Sequence, residues 1–271
     1  MKKIDICFFS EETDLLLKRF KYYKDYVDVF YVFEADKNFY GKKRKLKYPS
    51  IKVDIDVKIE YIICKNLHEI DDSKNDYTYT NGPWENEFKF RQTARNIVEE
   101  VNDDDIICIS DVDEFYNRDY LVCHDKPLTF LMTNNYFRHD YIQYNKSNNT
   151  KYLIPGTQMF TKNQYKNFKN TEWDGQENHC FDVQGMRNSP NAGFKQIIKD
   201  NAWHFSYFGG IKNIKNKLNN FSHCEYKHIS QLSDEEINKH IFNFEDLLGR
   251  DEFSYKIENN LTSDLLKIIN K

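Results

Sequence analysis

The sequence predicts an α/β fold built on a central sheet flanked by helices, and three observations carry that expectation. The chain opens as strand, helix, strand, with "IDICFF" (4–9), a helical stretch from Thr13 and "VDVFYVFEA" (27–35). Two strands of one sheet joined through a helix make a βαβ unit, which implies parallel pairing. Third, an acidic cluster follows the apolar run "DIICIS" (105–110), and ligands of open α/β sheets bind at the carboxyl ends of strands.

In chain order, "IDICFF" is a short apolar run of β-formers and reads as a buried strand. Ser10 can cap the helix that follows, and Glu11 and Glu12 suit its positive end. Leu15, Leu16, Phe20 and Tyr23 then fall at helical spacing, and "VKIEYIIC" (57–64) reads as a third strand. Asn81-Gly82-Pro83 is a turn with Pro placed to start a helix. The spacing predicts one helix over 84–101, with an apolar stripe at Phe90, Ala94, Ile97 and Val101 and with Arg91 and Arg95 on another face.

The second half is less regular. "KPLTFLM" (126–132), "YFRHDYIQY" (136–144) and "KYLIPGTQMF" (151–160) read as strands, partly antiparallel. A further strand ends at His204 to Tyr207, and Gly209-Gly210 opens a helix with a buried stripe at Ile211, Ile214, Leu218 and Phe221. Two more helices are expected near 233–248 and 261–269. With no repeat or long linker, residues 1–271 are expected to form one domain of two lobes.

Bulk properties exclude several classes. A net charge of −4 gives no global field toward nucleic acid or anionic lipid. The longest apolar runs fall far short of the roughly 18 to 20 residues of a transmembrane helix. "MKKIDICFFSEE" turns acidic without a small-residue cleavage site, so no secretory signal is expected. Six scattered cysteines show no CxxC pair and no metal spacing, which suits a reduced, cytoplasmic protein. Peripheral association with a membrane stays compatible with these numbers.

"DDDIICISDVDEF" (103–115) carries the chemistry. Asp111 and Asp113 alternate to one side of an extended chain. Hard divalent cations take oxygen ligands, commonly one or two carboxylates plus substrate phosphate oxygens. D-x-D at a strand end therefore suits a cation with a nucleoside diphosphate. The plain alternative is an acidic turn capping its own backbone. A phosphatase of the haloacid-dehalogenase type also places D-x-D after an apolar strand, but near the start of its domain. A non-catalytic nucleotide-sugar or carbohydrate-binding module would use the many aromatic side chains as stacking platforms.

Four segments resemble glycosyltransferase family 17, in the right order over residues 8–223. They are "FFSEETDLLLKRFKYYKDYVDVFYVFEADKNFYGKKR", "WENEFKFRQTARN", "DDDIICISDVDEF" and "AWHFSYFGGIKNIKNKLNNFSH". Phe115-Tyr116 stands where the family pattern has Ile-Pro, and Ala202 stands where Gly precedes the Trp-His pair. The resemblance implies a GT-A-type (Rossmann-like) fold with a mixed, mainly parallel sheet. It implies a UDP-sugar donor (UDP-N-acetylglucosamine by analogy), a glycan acceptor, Mn²⁺ or Mg²⁺, and inversion at the anomeric carbon. Residues 1–125 would bind the nucleotide-sugar and residues 126–271 the acceptor.

By the same resemblance Asp111, Asp113 and His204 hold the cation. A lone His between Trp203 and Phe205 would otherwise read as a satisfied core residue. Phe9, Glu11, Glu34, Arg91, Asp111 and Lys212 are the expected donor contacts. The Gly209-Gly210 turn offers backbone N–H groups to a diphosphate, with Lys212 or Lys215 nearby. Arg91 and Arg95 face either the nucleotide, the acidic cluster or solvent. A general base must take the acceptor's proton, and Glu114, Asp174 and Glu177 are the candidates. "GKKRKLK" (41–47) is a basic loop near the expected nucleotide.

Overall fold

β1 (Lys3–Phe9) is buried along nearly its whole length, and its alternating side chains feed two separate cores. Ile4, Ile6 and Phe8 enter one, and Cys7 and Phe9 enter the other. This follows from the period-2 geometry of a strand covered on both faces. The computed structural model describes residues 1–70, 82–169 and 195–269.

β1 lies between β2 (Val29–Ala35) and β4 (Ile106–Asp111), both parallel to it. β3 (Lys58–Cys64) adds a fourth parallel strand beyond β2. One face is covered by α1 (Thr13–Tyr23) and α7 (Ser263–Ile269), which supply Leu16, Phe20, Leu265 and Ile268. The other is covered by α2 (Pro83–Gln92), α3 (Ala94–Glu100) and α4 (Lys162–Lys169). The sequence spacing predicted α2 and α3 as one helix. They break at Thr93, whose hydroxyl donates back to the Phe90 carbonyl and competes with the helical ladder.

The rest of the sheet corrects the expectation of mainly parallel pairing. β6 (Leu128–Tyr136), β7 (Tyr141–Asn145), β8 (Leu153–Thr161) and β10 (Phe253–Ile257) extend the sheet in the order β10-β7-β6-β8-β4 through antiparallel pairs. The turn between β6 and β7 is too short for the crossover that parallel pairing needs. The segment 136–144, expected as one strand, turns at Phe137, whose φ of 61° ends β6 and starts a hairpin. β9 (Gln196–Ser206) returns parallel to β6 and also pairs antiparallel with the short β5 (Glu114–Tyr116).

α5 (Gly210–Asn220) and α6 (Asp234–Phe242) pack on this half through Ile214, Leu218 and Ile237. Gly209 and Gly210 have φ of 93° and 81°, a left-handed pair that a β-carbon would strain. Cys7, Cys64 and Cys108 are buried thiols. No helix among the described residues is long and apolar enough to cross a membrane.

Candidate active site

A cavity of about 560 Å³ opens at the carboxyl ends of β1 and β4 and continues across β9 and α5. β4 ends at Asp111, and the chain turns there. Val112 goes into the core while its N–H donates to the Phe8 carbonyl at 3.0 Å. Asp111 and Asp113, on either side of Val112, both line the cavity. Two ladders bring His204 to them. β5 pairs Glu114 opposite His204, and β6 pairs Asn134 opposite His204.

Each carboxylate meets a cation. Arg91 grips Asp111 through both nitrogens of its fork, at 2.7 and 2.8 Å, and donates to Glu87 at 2.9 Å. Such bidentate pairs are strong and directional. Lys217 donates to Asp113 Oδ2 at 2.6 Å, and His204 Nε2 lies 3.4 Å from the same oxygen. Burial pushes the Asp113 carboxyl up, but Lys217 and His204 outweigh burial and hold it well below the usual carboxylate range. Glu12, 3.8 Å from Lys217, is pushed up by burial against the pull of that ammonium.

The acidic turn rests on a buried strut. Arg19 is fully buried and bonds both oxygens of Asp5 at 2.6 and 2.7 Å, Ser110 Oγ at 2.5 Å and the Glu114 carbonyl at 2.6 Å. Its guanidinium lies 5.2 Å from the Tyr23 ring centroid and 5.8 Å from that of Phe115. Tyr23 Oη in turn donates to the Tyr116 carbonyl and accepts from the Tyr116 N–H. Tyr116 stands where the family pattern has Pro, which has no N–H to give.

The cleft brings together Phe9, Glu11, Arg91, Asp111, Asp113 and His204. Glu11 is held by Arg44 at 3.4 Å and Lys47 at 3.0 Å. Three other expectations are corrected. Glu34 does not line the cavity; it is fully buried and accepts from Lys47 N, Tyr48 N and Tyr61 Oη, so it fastens the basic loop. Lys212 is exposed on the far side of α5 and lies off the cavity. Glu114 is fully buried and braces the turn, accepting from Asp111 N at 3.2 Å and Thr157 Oγ1 at 3.5 Å. A carboxylate turned inward cannot reach an acceptor hydroxyl.

Asp174 and Glu177 lie outside the described residues. Arg95 pairs with Glu99 on an exposed face of α3, and Lys215 pairs with Asp234. Sequence reasoning missed Lys217. The signal was the stripe Asn213, Asn216, Lys217 and Asn220 at i, i+3, i+4 spacing, which lines the cavity. Attention to the Gly-Gly turn favoured lysines near the helix start, whereas α5 presents its side to the cleft.

Partly buried aromatic side chains rim the opening. Trp84, Phe88, Phe221, His223 and Tyr226 adjoin one another on one side, with Trp84 and His223 ring centroids 4.5 Å apart. Tyr152, half-buried, also lines the cavity, while Tyr136 and Tyr207 border it from within the core, 2% and 4% exposed. Among the described residues, no three His, Cys, Asp or Glu side chains converge as a ready metal cage.

The cleft is floored by carboxylates at the ends of parallel strands and bordered by aromatic side chains. Residues 1–173 match the model for glycosyltransferase family 17, and the chain belongs to that family. Membership implies a sugar donor and an acceptor. No curated protein matches the chain. Among solved structures, the inositol-1-phosphate CTP transferase from T. maritima is 11% identical with a TM-score of 0.40, covering 76% of this chain and 89% of that one. Mannose-6-phosphate isomerase from Helicobacter pylori is 11% identical with a TM-score of 0.32, covering 62% and 75%.

Proposed function

We propose that the chain is a metal-dependent, inverting glycosyltransferase of GT-A type. It would move a sugar, N-acetylglucosamine from UDP-N-acetylglucosamine by family analogy, to a hydroxyl of a glycan acceptor. One observation carries the reading: Asp113, His204 and Lys217, from three separate elements, meet at a single oxygen in the cleft. A cation fits this donor set. A carboxylate oxygen and an imidazole nitrogen lie side by side, and Mg²⁺ or Mn²⁺ sites commonly leave their remaining positions to water and substrate phosphate. When bound, the cation supplies positive charge to the departing diphosphate.

The chain's own residues do the rest. Phe9 and Glu11, at and after the end of β1, and Trp84 and Phe88, on α2, line the part of the cavity that suits the nucleotide. Arg91 holds Asp111 in place. Lys217 offsets the Asp113 charge and would turn to the diphosphate when a cation competes for that carboxylate. Tyr152, half-buried in the cavity wall, suits the apolar face of an acceptor sugar. Asp174 or Glu177 would take the acceptor proton. The buried thiols accord with a reducing, cytoplasmic setting.

The test is nucleotide release from a panel of UDP-, GDP- and CMP-sugars with Mn²⁺, Mg²⁺ or EDTA. Slow, metal-dependent release of UDP from one sugar is expected, and neither release nor binding with any donor would overturn the reading. A second expectation concerns His204→Ala. UDP affinity measured by calorimetry should fall about tenfold in Mn²⁺ and stay unchanged in EDTA. Equal affinities for variant and wild type in Mn²⁺ would remove His204 from the cation site.

A further inference from the structure

His204 does not stand alone in the wall of the cleft. Its Nδ1 lies 2.9 Å from Asn134 Oδ1. Asn134 Nδ2 donates to Gln143 Oε1 at 2.5 Å, and Gln143 Nε2 donates to Tyr255 Oη at 3.1 Å. Tyr255 donates its hydroxyl proton to Asp246 Oδ2. Asn134, Gln143 and Tyr255 are all buried, Gln143 completely.

The direction of every bond in this chain follows from its far end. Asp246 is a carboxylate held by Arg250, with Nη2 to Oδ2 at 2.7 Å. Burial pushes its carboxyl up, but the bonds from Arg250 and Tyr255 outweigh that and keep it below the usual range. An ionised carboxylate can only accept. Tyr255 must therefore give its one proton to Asp246, which leaves its oxygen to accept from Gln143. Gln143 then turns its amide nitrogen to Tyr255 and its oxygen to Asn134. Asn134 turns its nitrogen to Gln143 and its oxygen to His204. The nitrogen facing an amide oxygen must carry a proton.

We propose that Asp246 acts at a distance as a positioning residue, fixing through Tyr255, Gln143 and Asn134 that His204 is protonated on Nδ1. Nε2 is left on the side of Asp113 Oδ2, which is 3.4 Å away and already bonded to Lys217 at 2.6 Å. That oxygen's claim on an Nε2 proton is therefore weaker than the claim of Asn134 Oδ1 on Nδ1 at 2.9 Å. Nearby partners often select a metal-binding tautomer of His. Here the selecting group lies four side chains away, beyond residues 1–173 that match the family model. Its use in catalysis rests on the proposed role of His204 at the cation, whereas the bond order itself does not.

The tautomer can be read directly by ¹⁵N NMR of the imidazole in the metal-free protein, at a pH where His204 is neutral, with His204→Asn to assign the signal. The expected state is a single Nδ1–H tautomer. A dominant Nε2–H form, or an even mixture, in the wild type would overturn the proposal without any variant. Gln143→Leu removes both bonds at little change in volume and frees the Asn134 amide to turn, so the Nε2–H form should rise. Gln143→Glu keeps an acceptor toward Asn134 and should preserve Nδ1–H.

Packing alone would leave the tautomer unchanged in both variants, and that result would also overturn it. Tyr255→Phe breaks the chain with the smallest structural change and should act like Gln143→Leu. Mn²⁺ affinity should fall about ten- to a hundredfold in Gln143→Leu and little in Gln143→Glu. Absence of Mn²⁺ binding in the wild type would count against the cation site, while the tautomer measurement still decides the bond order.

Discussion

Asp113→Asn is expected to lower sugar transfer about a thousandfold while leaving the fold intact. The side chain keeps its shape and loses its charge. That charge is what Lys217 and His204 both face, at 2.6 and 3.4 Å, and what a cation would bind. Electrostatic stabilisation of a leaving diphosphate is worth several kcal/mol, and each ~1.4 kcal/mol is a factor of ten in rate. The amide should also lower the melting temperature, because Lys217 and His204 lose the buried carboxylate they face and Lys217 keeps only Glu12, 3.8 Å away. The check is UDP release beside a thermal melt. Unchanged turnover would take the acidic pair out of the chemistry, and a collapsed melt would show that Asp113 is structural.

Arg19→Met should be the most destabilising single change in the molecule. It strands Asp5, which is fully buried, and strips donors from Ser110 and the Glu114 carbonyl. Breaking a buried ion pair from one side costs about 3–5 kcal/mol. For a chain of this size that lowers the melting temperature by on the order of 10 °C. Replacing both partners, Arg19→Met with Asp5→Leu, should recover much of the loss, since a well-packed apolar pair avoids the stranded charge. The double variant should still transfer sugar poorly, because the acidic turn has lost its strut. A double variant as active as wild type would show that Arg19 serves stability alone.

The two changes probe the turn from opposite sides. Asp113 works at the surface of the cleft, and Arg19 holds the same turn from beneath β1. A loss of activity far out of proportion to the change in melt points to the first, and a lowered melt that the second substitution restores points to the other.

Sequence by itself determined what neighbouring residues can encode. The runs at 4–9, 27–35 and 57–64 became β1, β2 and β3 within a residue or two. The buried parallel strands β1 and β2 leave short, almost unbroken apolar runs, and the part-exposed edge strand β3 keeps a partly alternating one. Asp111 and Asp113 were legible because they follow an apolar run, at the carboxyl end of a strand where open α/β sheets bind ligands. The stripe Ile211, Ile214, Leu218 and Phe221 marked α5 because helical periodicity is local.

Only the tertiary structure decided which charged groups meet. Lys217 and Asp113 are 104 residues apart in sequence, so the choice among the lysines of α5 depended on how that helix lies against β9. Glu34 and Glu114 have the same local look as ligands, yet one fastens a loop and the other turns inward, because burial beside specific donors decides a carboxylate's role. The ordering of His204 from Asp246 is the extreme case. Hydrogen-bond direction propagates through side chains that share no sequence pattern, and it exists only once β6, β7, β9 and β10 lie side by side.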